Sequence, residues 1–190
     1  MKIITKEFQV FKFEELDAKI QEKVINKYYQ NEDYPWLESD LLDQLHELDN
    51  LKIFSDIKLQ YSLSYCQGDG LCFESCIDLH KFLKAKGLKN SVIDSIYNQT
   101  SSCKSISNRG RYSFPASNQI VWDIESLPSR LDKLVYGLEN ELKDYYLSIC
   151  RQLEKAGYAV IEYRMSTKEF IDHCDENDYT FLANGEMFNI

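Results

Sequence analysis

Asp69, Glu74, Asp78 and His80 fall close together in the chain, and carboxylates beside an imidazole are groups that hold a divalent ion for phosphodiester or nucleotide hydrolysis. A small metal-dependent nuclease or nucleotide hydrolase using these four residues is one expectation, and it requires the fold to converge them on one point. Cys66, Cys72, Cys76 and His80 invite a zinc reading, but C-x5-C-x3-C-x3-H matches no common zinc module. Residues four apart on a strand are separated by roughly 13 Å, too far to share an ion without a bend. Small, half-buried, reduced thiols are the better account, so neither a metal nor another cofactor is expected. His173 and Cys174 are sequence neighbours, and neighbours on a helix point about 100° apart, which keeps them from acting as nucleophile and base for one another. Gly68-Asp69-Gly70 suits a tight turn, because glycine accepts positive φ and aspartate bonds its own backbone.

A second chemistry is binding by charge. Glu38, Asp40, Asp43, Glu47 and Asp49 gather on one segment and could occupy a basic channel, with electrostatics speeding encounter. The net charge of −9 is uneven: residues 1–50 carry 6 Lys/Arg against 12 Asp/Glu, residues 51–138 carry 11 against 8, and residues 139–190 carry 5 against 11. Acidic flanks argue against broad duplex-DNA binding, which needs a basic stripe to displace counterions. The polar side of residues 58–80 with Lys81, Lys84, Lys86 and Lys89 offers hydrogen bonds but lacks outward aromatics for stacking bases. Charge interrupts the opening Met1-Lys2-Ile3-Ile4-Thr5-Lys6-Glu7 before any leader-like apolar run develops, and nothing approaches the ~18–20 apolar residues of a membrane span. A cytoplasmic location without membrane partners is expected.

The elements that must position these groups are read from periodicity. Ile57, Leu59, Tyr61, Leu63 and Tyr65 alternate with polar residues, and after the glycine turn Leu71, Phe73, Ile77 and Leu79 alternate with Cys72, Glu74, Cys76, Asp78 and His80. A period of two marks a half-buried antiparallel hairpin. Lys2–Phe11 reads as a first strand. A helix follows Asp17 with Leu16, Ile20, Val24 and Tyr28 as its stripe, and a second starts near Pro35 and Trp36 with Leu37, Leu41, Leu45 and Leu48 inward. Lys81–Gly87 reads as helical turns or a basic loop, Val92–Tyr97 as a third strand and Asn98–Ser107 as a polar loop. Arg111–Phe114 and Asn118–Ile124 read as a strand pair. From about Arg130 a long helix carries apolar residues at steps of three and four, with Gly157 ending it or held within it at about 1 kcal/mol. Thr167 is placed at the N-cap of a last helix, and Asn184-Gly185 at the turn of a small hairpin.

Tyr65-Cys66-Gln67-Gly68-Asp69-Gly70-Leu71-Cys72-Phe73 resembles a (W/Y)-S-Q-G-D-G-x-x-F hairpin found in a family of small phage and prophage proteins, with Cys66 where that pattern has serine. Phe13-Glu14-Glu15-Leu16, Tyr34-Pro35-Trp36 and Tyr179-Thr180-Phe181-Leu182-Ala183-Asn184-Gly185-Glu186 resemble further landmarks of the same family, in the same order. The resemblance implies a phage setting and no particular reaction.

Together these readings predict one α+β domain over residues 1–190: an antiparallel sheet of about four to six strands with helices packed on one face. The function expected is that of a non-enzymatic, phage-encoded accessory protein. It would bind and inhibit a host protein or ribonucleoprotein of nucleic-acid-processing defence, as an anti-CRISPR or anti-restriction protein does. Beside the metal-dependent hydrolase stands a third expectation, the antitoxin of a toxin–antitoxin pair.

Overall fold

The computed structural model describes residues 6–29, 36–107 and 118–188. In chain order their elements are α1 (Ala18–Tyr29), α2 (Leu37–Leu48), β1 (Phe54–Ser62), β2 (Gly70–Ile77), α3 (Leu79–Ala85), α4 (Asn90–Tyr97), β3 (Thr100–Ser107), β4 (Asn118–Ile124), α5 (Ser129–Arg164), α6 (Thr167–Glu176), β5 (Thr180–Phe181) and β6 (Met187–Phe188). The fold is α+β, with an antiparallel sheet in the order β1-β2-β3-β4 and a separate two-stranded ribbon, β5-β6. No helix among the described residues is long and apolar enough to cross a membrane. Two compact units emerge, one of residues 36–158 and one of residues 1–35 with 159–190.

The larger unit holds the sheet. β1 pairs with β2 as expected, Leu59 opposite Phe73 and Tyr61 opposite Leu71. The ladder is interrupted between Ser55 and Lys58, where Asp56 takes φ 52°. An extra residue in one strand reverses its side-chain parity, so Phe54 and Leu59 face the same side. On that side the Phe73 ring lies 4.6 Å from Tyr146 of α5, and Phe54 stacks on Tyr145 at 6.0 Å. The hairpin strand ends earlier than the alternation implies, at Ser62, because Tyr65 turns left-handed at φ 55°.

Two readings on this unit are corrected. Val92–Tyr97 is helical: Ile93 and Ile96 are buried at a spacing of three, which a helix places on one face and a strand on opposite faces. Asn98–Ser107 is no loop from Thr100 onward but strand β3, paired on both sides. Its serines belong there because Ser105 is buried against Ser75, Oγ to Oγ at 3.0 Å, and also donates to the Phe73 carbonyl at 3.0 Å. The helical alternative holds for the first part of Lys81–Gly87: residues 81–85 belong to α3, which Asp78 caps and which Lys86 and then Gly87, at φ 71°, follow. Asn118–Ile124 is β4, while Arg111–Phe114 lies outside the described residues. Gly157 is carried within α5, where a Cβ would approach Leu63 Cδ1 to 2.5 Å.

At the centre of this unit, Phe73 gives its N–H to the Tyr146 hydroxyl (3.0 Å), and that hydroxyl donates back to the Phe73 carbonyl (2.9 Å). Asn118 Nδ2 bonds both the same carbonyl (3.0 Å) and Tyr146 Oη. Among the described residues the buried polar cluster is satisfied except at Asn118 Oδ1.

The smaller unit packs Phe13, Leu16, Val24, Phe170, Cys174 and Phe181 into its own core. Of the expected first strand, residues 2–5 lie outside the described residues, residues 6–10 join no ladder among the described residues, and Phe11 makes one bridge to Phe181. Ser166, not Thr167, caps α6, its hydroxyl accepting from the Glu169 N–H. The β5-β6 hairpin turns at Gly185, which sits at φ 83° with no room for a Cβ: Ile20 Cγ2 and Val24 Cγ2 would each lie 2.8 Å away.

Candidate functional site

Helix α2 buries Leu37, Leu41 and Leu45, one face at steps of four, so its other faces belong to solvent. Asp40, Asp43 and Glu47 are exposed and, at roughly 100° per residue, share one stripe on the side away from that row. Trp36 sits one turn before Asp40 in α-helical backbone geometry and is 71% exposed. The result is an indole at the head of three carboxylates. None of the three has an ion-pair partner among the described residues. Glu38 is exposed too but lies about 160° from Asp40 around the helix, off the stripe.

Asp49 does not belong to this surface. It is 3% exposed and closes the connection from α2 to β1: Oδ2 accepts the Phe54 N–H at 3.0 Å and Oδ1 accepts the Tyr145 hydroxyl at 2.9 Å. The Phe54 N–H at the head of β1 is buried and needs an acceptor, and the inward carboxylate supplies it. Burial, and then the bond to Asp49, push the Tyr145 hydroxyl up to about 12.

The four residues of the hydrolase expectation are not brought together, and each has other work. Asp69 accepts from the Ser64 N–H (2.6 Å), the Cys66 N–H (3.0 Å) and the Ser62 hydroxyl (3.0 Å), tying up the β1–β2 turn. Partial burial pulls its carboxyl up, but the bonds from Tyr158, Cys66 and Ser62 outweigh that and hold it well below the usual carboxylate range. Glu74 stands mid-strand on β2, bonded to Gln60 at 3.4 Å. Asp78 caps α3 and pairs with Lys81 at 3.2 Å. His80 is exposed, with its ring 6.1 Å from that of Tyr97. Among the described residues, no three of His, Cys, Asp and Glu form a group that could hold a metal ion.

Cys66 and Cys76 are exposed and Cys72 is buried, and among the described residues these thiols and His80 form no group that could hold a metal ion. Cys174 is buried and His173 packs between Tyr28 and Tyr179. Both serve the packing of the smaller unit.

Sequence reasoning passed over one acidic feature. Asp132, Tyr136 and Glu139 of α5, with Ile124, Leu127 and Val135, line a cleft of about 270 Å³. Tyr136 is 69% exposed beside the two carboxylates. Their spacing of four and three was the available signal, masked by the stronger apolar row of the same helix. Against family models, curated proteins and solved structures, the chain finds no match.

Proposed function

We propose that the protein works by binding rather than turnover, setting Trp36 and the Asp40–Asp43–Glu47 stripe against a basic surface of a protein or ribonucleoprotein partner. The observation that carries this reading is the stripe itself: three exposed carboxylates, without an ion-pair partner among the described residues, in line behind an exposed indole. Tryptophan is among the side chains that most often anchor an interface, and a row of like charges accelerates encounter with a surface of opposite sign. The acidic cleft at Tyr136 adds a second feature of the same character, suited to a cationic side chain over an aromatic ring. The phage-like landmarks support a phage setting, and in that setting the partner proposed is a component of host nucleic-acid-processing defence, of the anti-CRISPR or anti-restriction type.

The test is protection. Expressed in a host carrying a CRISPR or restriction system, the protein should raise phage plating by about tenfold or more, as loss of a tightly bound defence factor would. The combined Asp40→Lys, Asp43→Lys, Glu47→Lys variant, with its melting temperature intact, should return plating to baseline. Full protection by that variant, or none by the natural protein across such hosts, overturns the reading.

A further inference from the structure

The smaller unit contains a cleft of about 280 Å³ that the acidic reading does not use. Its walls are Val24 and Tyr28 of α1, Phe170 of α6, and Phe181 and Met187 of the β5-β6 hairpin. Phe170 and Phe181 are 1% exposed and form the floor, whereas Met187 stands 40% exposed at the mouth. Gly185 borders the opening where its hairpin presses on Ile20 and Val24, so the wall is fixed by close backbone approach. The space takes one bulky apolar side chain.

Charge stands directly beside it. Lys27 lines this cleft and also the shallow groove along the outside of α1, whose other members are Lys19, Glu22, Lys23 and Asn26. Lys19, Lys23 and Lys27 are exposed at steps of four, a row of ammonium groups about 12 Å long with Glu22 as its one carboxylate. Lys23 Nζ is held by the Asn184 carbonyl at 3.3 Å, so the row is tied to the turn that walls the cleft. Among the described residues neither Lys19 nor Lys27 has an ion-pair partner.

From this juxtaposition of an apolar cleft and a lysine row we infer that the smaller unit binds an acidic peptide segment bearing one bulky apolar side chain. The apolar side chain enters between Tyr28, Phe170 and Met187, and flanking carboxylates lie along Lys27, Lys23 and Lys19. A lone small carboxylate would use only one of the three ammonium groups. A long nucleic acid meets a unit whose residues carry 8 Lys/Arg against 14 Asp/Glu, and repulsion beyond the row works against it. A short acidic segment confined to the row avoids that repulsion. This site is opposite in charge to the α2 stripe and independent of it.

The experiment is an amide and methionine-methyl NMR titration of the full chain with a synthetic peptide of Glu and Asp residues around a central Trp. Shifts are expected at Val24, Lys27, Gly185 and Met187. Affinity should fall about tenfold when the Trp is replaced by Ser, and by a similar factor in the Lys23→Glu, Lys27→Glu variant, consistent with an anchored, charge-assisted contact. Met187→Glu, at the exposed mouth, should weaken binding alike, with circular dichroism reporting the fold of each variant. The Asp40→Lys, Asp43→Lys, Glu47→Lys variant should bind as the natural protein does, which separates this site from the defence reading. The inference is overturned by no shift at millimolar peptide, by equal binding of the Ser peptide, or by a thymidine oligonucleotide moving the same amides while the peptide does not.

Discussion

Tyr158 donates its hydroxyl to Asp69 Oδ2 across 2.8 Å, fastening the turn between β1 and β2 to helix α5. The Tyr65 ring packs 4.7 Å from the Tyr158 ring over the same spot. A residue whose type and setting suggested a metal ligand thus serves as the knot of the hairpin.

That knot predicts an acid response. Because the folded state holds the Asp69 carboxyl below its unfolded value near 3.9, its contribution is complete above that pH and is lost as pH falls toward the folded value. Melting temperatures measured from pH 5 down to 2 should drop more steeply for the natural protein than for Asp69→Asn, which should start lower at pH 7. Matching slopes would refute this role for the carboxylate.

Thiol reactivity should follow the same geometry. Cys66 donates to Asp69 Oδ1 at 3.1 Å, and that bond raises its thiol above the ordinary value. Burial pushes Cys72 and Cys174 up to about 11 and Cys103 and Cys150 up to about 12. Alkylation of the native protein at pH 8, read by mass spectrometry, should modify Cys66 and Cys76 and spare the other four. Asp69→Asn should speed Cys66 several-fold and leave Cys76 unchanged.

Tyr146→Phe keeps the ring and removes one oxygen. It strips the partner from the buried Phe73 N–H and from one Asn118 N–H, and should cost about 2–3 kcal/mol in urea unfolding. A loss below 0.5 kcal/mol, the usual scatter of surface changes, would show that the cluster contributes nothing net.

Gly185→Ala should destabilise the smaller unit by about 2–4 kcal/mol, through a left-handed φ and collision with two β-branched side chains that cannot rotate aside freely. Amide exchange is the measurement that resolves it: protection should fall at Ile20 to Val24 and in β5-β6.

Asp49 and the α2 stripe should separate cleanly. Asp49→Ala leaves the buried Phe54 N–H without its acceptor and should cost about 2–4 kcal/mol, whereas reversing Asp40, Asp43 and Glu47 should move stability by about 0.5 kcal/mol or less. Equal effects would mean that the stripe is not a free surface.

Much of the architecture was readable because burial on one face imposes a period. The β1-β2 hairpin, α2, β4 and the long α5 all carried it. Strand β3 did not: Ser101, Ser102, Ser105 and Ser107 look like loop residues, and only their pairing to β2 and β4 makes them a strand. Val92–Tyr97 reads as a strand but is helical, because a short apolar run fits either period. For the candidate site, exposure along α2 followed from helical spacing, but Asp49 turns inward through a bond to Tyr145, 96 positions away, which no local pattern encodes. The same holds for Asp69 and Tyr158.

The irregularity between Ser55 and Lys58 bears on how copies of the chain behave when crowded. Among the described residues β1 is an outermost strand, and an outermost strand is a template onto which a foreign chain can zip. Here the left-handed Asp56 breaks the template near its start and Lys58 sets a charge immediately after the break. Only the five residues from Lys58 to Ser62 stay regular, fewer than the about six or seven that a cross-β zipper segment uses.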